Sequence, residues 1–232
     1  MKDFFENYVE NTFGAYEQAR FKFRQFEINY KKYFPAEKSV RVLDIGIGRG
    51  EMLTCMKEWG YDNSLGVDIS PSTVTFCKSL GLPCELTDDT IKWLSLHERN
   101  FAVITLLDVL EHVNKNDTVA FLRAIRNSLQ DDGLVIIQVP NLQAPDGQLH
   151  QYNDFTHEVG YVEHSLLQVL LTAGFHNIQF NGFEDESPMK WKQLIKGTLR
   201  ALYWRYVKLI RRLTGNLNPA ILHPVFFAIV RK

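Results

Sequence analysis

Apolar and polar positions alternate along the chain in two rhythms. Runs rich in Val, Ile and Leu, suited to buried strands, fall at residues 40–45, on the approach to Asp68, at 101–107 and at 134–139. Between them apolar residues recur at helical spacing, at 51–59, from Ser70 to Gly81, and at 117–129, where Phe121, Leu122, Ile125 and Leu129 share a face. A short strand at 83–86 and a helical turn at 87–94 complete this half. Further on the pattern predicts a helix at 163–173, a strand at 177–183 and a last strand at 225–230, antiparallel to its neighbour near Phe180. Gly60, Gly81, Gly133 and Gly174 stand where helices stop. Such alternation predicts a mostly parallel sheet with right-handed crossovers and helices on both faces.

Three stretches depart from the alternation. Before the first strand, Tyr16, Ala19, Phe23, Phe26, Tyr30 and Tyr33 step by three and four. They form the seam of an amphipathic helix, with Arg20, Lys22, Arg24 and Glu27 mostly on other faces, and the seam should pack on the sheet or over a ligand mouth. Residues 141–160 are polar and long for a loop, the usual form of a lid or substrate segment at the ligand end. From 190 to 212 there are eight Lys or Arg and no acid, with apolar and aromatic residues at helical spacing. That composition suits a membrane-surface helix. It equally suits an inserted hairpin packed on the domain with a solvated basic face.

Composition narrows the classes. Length 232 fits one α/β domain with additions. The expected division is an N-terminal helical cap at 1–37, a core at 38–187, a basic helical insertion at 188–216 and the final strand at 217–232. A net charge of −1 shows no global bias toward nucleic acid. No basic segment followed by an apolar run opens the chain, and no stretch is long and apolar enough to span a bilayer. Cys55, Cys77 and Cys84 are odd in number without metal-like spacing, so buried reduced thiols of a cytoplasmic protein are expected.

The chemistry concentrates after the first strand. Asp44 ends that strand, and Gly46, Gly48 and Gly50 follow before the helix of 51–59. Glycines let the backbone approach a ligand closely, and the free N–H groups of the helix start favour an anion. About twenty residues on, Asp68 ends a second apolar run, where a carboxylate can accept from both hydroxyls of a ribose. Two cofactors fit such a cradle. The dinucleotide fingerprint wants a glycine where this chain has Glu51.

The form Asp44-x-Gly46-x-Gly48-x-Gly50 resembles the first motif of class I S-adenosylmethionine-dependent methyltransferases, and the resemblance runs from Val40 to Phe183 with the last strand. It implies a Rossmann-like sheet of order 3-2-1-4-5-7-6 with strand 7 antiparallel. It also implies S-adenosylmethionine as cofactor, held by Asp44, Gly46, Gly48, Gly50, Asp68 with Ile69, Asp88 or Asp89 at the adenine, and Leu107 with Asp108. Asp88 or Asp89 can equally cap the following helix. The segments Gly48-Arg-Gly-Glu51, Val109-Leu-Glu-His-Val113, Val139-Pro-Asn141 and Asp154-Phe-Thr-His157 resemble bacterial methyltransferases of surface-glycan gene clusters. These are expected to methylate sugar hydroxyls of O-antigen or capsule precursors at the cytoplasmic face of the membrane.

An alcohol acceptor benefits from a base. His157 is the first candidate, oriented by Asp154, and His112 the second; no metal is expected. Asp108-Val-Leu-Glu111-His112 also resembles the metal-binding segment of quinone-pathway O-methyltransferases, an alternative function in which Asp108, Glu111 and His112 would hold a divalent ion. A nicotinamide oxidoreductase and a silent cofactor-binding protein are the remaining rivals. The partner implied is a glycan or small-molecule acceptor, not nucleic acid, with peripheral membrane contact through 190–213.

Overall fold

The computed structural model describes residues 6, 8–13, 17–185, 190–216 and 218–232. Its seven strands are β1 (Val42–Ile45), β2 (Ser64–Asp68), β3 (Cys84–Leu86), β4 (Phe101–Leu107), β5 (Leu129–Pro140), β6 (Asn177–Gly182) and β7 (Val225–Arg231). They form one sheet of order β3-β2-β1-β4-β5-β7-β6, as expected from the family resemblance. The first five run parallel, and β7 runs antiparallel to both neighbours, setting Ile136 beside Ile229 and Phe180 beside Ala228. All seven elements named from the apolar pattern are strands.

Helices cover both faces, which is why all four β1 residues are buried. On one face α5 (Thr90–Ser95), α6 (Thr118–Ser128) and α8 (Glu163–Thr172) contribute Leu94, Phe121, Leu122, Ile125, Leu166 and Leu170 to a core over β4, β5 and β7. On the other, α2 (Arg20–Tyr30), α3 (Glu51–Glu58) and α4 (Pro71–Ser79) supply Phe26, Tyr30, Leu53, Met56 and Val74. Each such side chain contributes about 1.5–3 kcal/mol through burial. α4 starts as its sequence suggests: Ser70 Oγ accepts from Thr73 N at 3.3 Å and Pro71 takes the first helical position. A further short helix, α1 (Tyr8–Phe13), was not foreshadowed by the apolar pattern.

The aromatic seam packs on the sheet. Tyr30 is fully buried against Phe26, Phe183 and Phe227, and its hydroxyl donates to Gln138 Oε1 on β5. The helix is shorter than its periodicity suggests, because the segment before Arg20 is pinned in extended form. Gln18 Nε2 donates to Arg49 O and Thr54 Oγ1, and Ala19 N donates to Glu51 Oε1 at 3.0 Å. Tyr16, placed at the start of the seam, lies outside the described residues, as do the expected boundaries at 187–188 and 217.

Other expectations are corrected. Gly133 does not end a helix: α6 stops at Ser128, whose hydroxyl bonds Leu94 O and Ala124 O, and β5 begins at once, with Gly133 inside it. The polar segment 141–160 contains a short helix, α7 (Gly147–Tyr152). Its chain is anchored at Asn141, whose Nδ2 donates to Ile221 O and His223 O. The basic stretch is no hairpin but one continuous helix, α9 (Lys190–Leu213). It is seated by Arg200 on Glu184 at 2.9 Å, by the Trp204 ring against His223, and by Arg211 donating to Gln143 O at 2.6 Å. No described helix is long and apolar enough to cross a membrane. The three cysteines are free and buried, and burial pushes the Cys55 thiol up to about 12.

Candidate active site

Parallel strands deliver their carboxyl ends to one edge of the sheet, and there the chain forms a cavity. Asp44, Gly46, Gly48, Asp68, Leu107 and Asp108 line it, six of the ten residues expected to hold a cofactor. The glycines are there for different reasons. At Gly46, with φ +73°, an added Cβ would lie 2.4 Å from Val109 Cγ2. At Gly48, with φ +51°, it would meet nothing within 4 Å, so the missing side chain keeps space open. Gly50 is not on the cavity wall; it caps α3 in a left-handed conformation against Leu82 and Cys77.

Asp68 Oδ1 accepts from Ser70 N at 2.8 Å, and the amides of Gly48 and Ile47 also face its carboxylate. Burial nevertheless raises its pKa to about 6. Asp44 is buried, takes the Thr105 hydroxyl at 2.5 Å, and is raised by that burial to about 8. Two desolvated carboxylates beside an open cradle are suited to a ligand that brings hydroxyl donors and a cation. Ile69, Asp88 and Asp89 do not line this cavity. Ile69 and Asp88 are exposed, and Asp89 caps α5 by accepting from Lys92 N at 3.0 Å.

The raised carboxylates carry a stability forecast. A folded pKa above the unfolded value means the native chain holds protons that the unfolded chain has lost. Stability is then full below about pH 4 and falls as pH rises toward about 8. For Asp44 alone the shift corresponds to up to about 6 kcal/mol. Asp44→Asn keeps an acceptor for Thr105, so the ligand-free variant should melt higher than the parent at pH 8 and match it at pH 4. Thermal melts at the two pH values check this; a variant less stable at pH 8 refutes the buried-charge account.

Asp108 follows β4 with φ +54°, a left-handed conformation that Asp tolerates better than most residues. Its Oδ2 accepts from Gln138 Nε2 at 2.8 Å, linking it to Tyr30. Beyond it a 3₁₀ turn, Leu110–His112, brings His112 to the cavity wall. The segment 141–160 closes here, with Glu158 N and Val159 N both donating to Glu111 O.

The expected Asp154–His157 pair is replaced by a different chain. Asp154 Oδ1 accepts from Thr156 N and from Thr156 Oγ1 at 2.7 Å, and Thr156 Oγ1 in turn lies 2.8 Å from His112 Nδ1. A hydroxyl that donates to Asp154 accepts from His112, so the proton of His112 sits on Nδ1 and the lone pair on Nε2. Burial, then the nearby His157, lowers the His112 pKa to about 4, which keeps the ring neutral. His157 stands behind it, ring centroids 4.7 Å apart, its Nδ1 on Gln151 O and its Nε2 4.0 Å from Glu111 Oε1.

Glu111 is the residue whose importance the sequence understated. It is buried, with neither carboxylate oxygen hydrogen-bonded, and burial together with Asp108 pushes its pKa well up. Glu111, His112 and His157 each place one donor atom within 4.8 Å of the others. An orphaned carboxyl and two imidazoles fit a divalent metal in which His157, not Asp108, is the third ligand. Lys22, set off the apolar seam by the helical pattern, lines the cavity with Phe26. Phe26 is on the predicted seam; Lys22 carries no local sequence signal.

A family model described as a methyltransferase domain matches residues 17–180. No curated protein matches the chain. Among solved structures, the chain is similar to an S-adenosylmethionine-dependent methyltransferase from Archaeoglobus fulgidus, at 22% identity, 97% coverage of both chains and TM-score 0.71. It is similar to a second such enzyme from Mesorhizobium loti, at 16% identity, coverage of 90% and 98%, and TM-score 0.59. It also resembles the Burkholderia thailandensis 1,6-didemethyltoxoflavin-N1-methyltransferase solved with S-adenosylhomocysteine, at 17% identity, coverage of 99% and 85%, and TM-score 0.62. With its sheet order, glycine turn and match over most of its length, the chain belongs to the methyltransferase-domain family and is an S-adenosylmethionine-dependent methyltransferase.

Proposed function

We propose that the chain methylates a hydroxyl oxygen, most plainly a sugar hydroxyl on a bacterial surface-glycan precursor, with His112 as general base. The observation that carries the oxygen assignment is the Asp154–Thr156–His112 chain beside the cofactor cavity. The sugar assignment is supported by the glycan-type motifs: Asp154, Thr156 and His157 of one of them all reach this cluster. On this reading the enzyme works in the cytoplasm, at the inner face of the membrane.

Asp68 would take the ribose hydroxyls of the cofactor, the glycine turn its methionine carboxylate, and Asp44 its amino group, whose charge would favour the ionised Asp44. When bound, S-adenosylmethionine would supply an activated methyl group for transfer to the acceptor oxygen. The acceptor proton passes to His112 Nε2, while Thr156 and Asp154 hold the ring. Alignment is worth up to ~7–11 kcal/mol and the base ~10²–10⁴-fold.

A second reading is favoured by the orphaned Glu111: with His112 and His157 it would hold a divalent ion that binds the acceptor oxygen, as suits a quinone-pathway or other small-molecule O-methyltransferase. Labelled S-adenosylmethionine, offered with lipid-linked glycans and with catechols, separates these. O-methyl sugar formed after chelator treatment supports the first. Chelator-sensitive catechol methylation supports the second, and cofactor binding without any transfer supports a silent binder.

A further inference from the structure

α9 rests on the domain through Arg200, Trp204 and Arg211, residues that share one side of the helix. At 3.6 residues per turn, Ile195, Leu199, Leu202, Tyr206, Leu209 and Leu213 fall together on the opposite side, each more than half exposed. This stripe points away from the fold along a helix about 36 Å long. Cations border it on both sides, Lys196, ion-paired with Asp185, along one edge and Arg205 with Arg212 along the other. Among its 24 residues the helix has eight Lys or Arg and no Asp or Glu.

We propose that α9 docks in the plane of an anionic lipid surface, its stripe at the acyl boundary and its cations among the lipid phosphates. The charge pattern selects this occupant. A second copy laid on the stripe would set the Arg205 and Arg212 edge against like charge, with no carboxylate in either helix to offset it. An anionic bilayer supplies an apolar layer and a negative rim in the geometry the helix presents. The tyrosine suits the headgroup level, where an apolar ring and a wet hydroxyl are both satisfied.

Arg211 extends the consequence to the active site. It holds Gln143 O at the start of the segment that carries α7 and Thr156. Docking would therefore set the acceptor side of the cavity at the lipid surface, which rests on the methyl-transfer reading; the docking itself does not.

The test uses the full chain with vesicles of phosphatidylcholine, with and without about a third phosphatidylglycerol. The parent should pellet with the anionic vesicles and be released by salt. Arg205→Glu with Arg212→Glu should lower partitioning by on the order of a hundredfold, and Leu199→Asp with Tyr206→Asp should do likewise. Both variants should keep the parent's melting temperature and cofactor affinity, since all four side chains face outward. A parent that stays in the supernatant at low salt overturns the proposal. So does equal pelleting with neutral vesicles, or a concentration-dependent dimer abolished by Leu199→Asp. Loss of S-adenosylmethionine binding in the parent would strike the methyl-transfer reading and leave the docking intact.

Discussion

Gly48→Val is expected to weaken S-adenosylmethionine binding by about a hundredfold or more while the protein still folds. A Cβ at Gly48 meets no protein atom within 4 Å, so the isopropyl group enters the ligand's space rather than the core. The left-handed backbone costs a further ~1–2 kcal/mol, a melting shift of roughly 2–8 °C. Gly48→Ala shares that strain with a smaller side chain, and the difference between the two variants isolates the clash. Gly46→Val is the contrasting case: its Cβ collides with Val109 inside the protein, so stability suffers first. Asp68→Ala removes the acceptor proposed for two ribose hydroxyls, each charge-assisted bond being worth ~1.5–3 kcal/mol, and should cost ~10²–10⁴-fold in affinity. Calorimetry decides: unchanged affinity in Gly48→Val and Asp68→Ala defeats the cofactor assignment.

His112→Ala should cut turnover by ~10²–10⁴-fold, because among the described residues His112 is the imidazole that lines the cavity. Thr156→Val leaves the ring in place but unties it from Asp154, and should cost about tenfold. His157→Ala should stay within about tenfold if His157 only buttresses the ring. The decisive contrast is between these variants under single-turnover conditions, which separate chemistry from binding and product release. A His157→Ala variant as poor as His112→Ala, combined with chelator sensitivity, would hand the role to a metal held by Glu111, His112 and His157. A normal His112→Ala enzyme would remove the base from this site altogether.

The fold was legible because it is written in periods and punctuation that act locally. The apolar pattern between helical spacings named all seven strands, and Ser70-Pro71 marked a helix start that the structure keeps. The glycine wall of the cavity was legible for the same reason: Asp44, Gly46 and Gly48 lie within five residues of one another. What failed was anything decided by distant partners. Asp154 and His157 were read as a pair from their spacing, yet the intervening Thr156 hydroxyl takes the carboxylate and passes it to a histidine 44 residues away. Lys22 sits on a charged helix face, and nothing local says that face turns toward the cavity. Gly133 looked like a helix stop because sequence alone cannot show Lys232 N reaching across to its carbonyl.

The position of α9 in the chain has its own consequence. It lies wholly within the connection from Gly182 to Val225, whose ends are already held together by the pairing of β6 with β7. The entropy of closing such a connection grows only with the logarithm of its length, about 0.6 kcal/mol for each doubling. No strand register changes if the connection is lengthened or shortened, because β7 is also fixed by its pairing with β5. A long helix can therefore be added to this core, or removed from it, for less than the cost of one poorly filled core position.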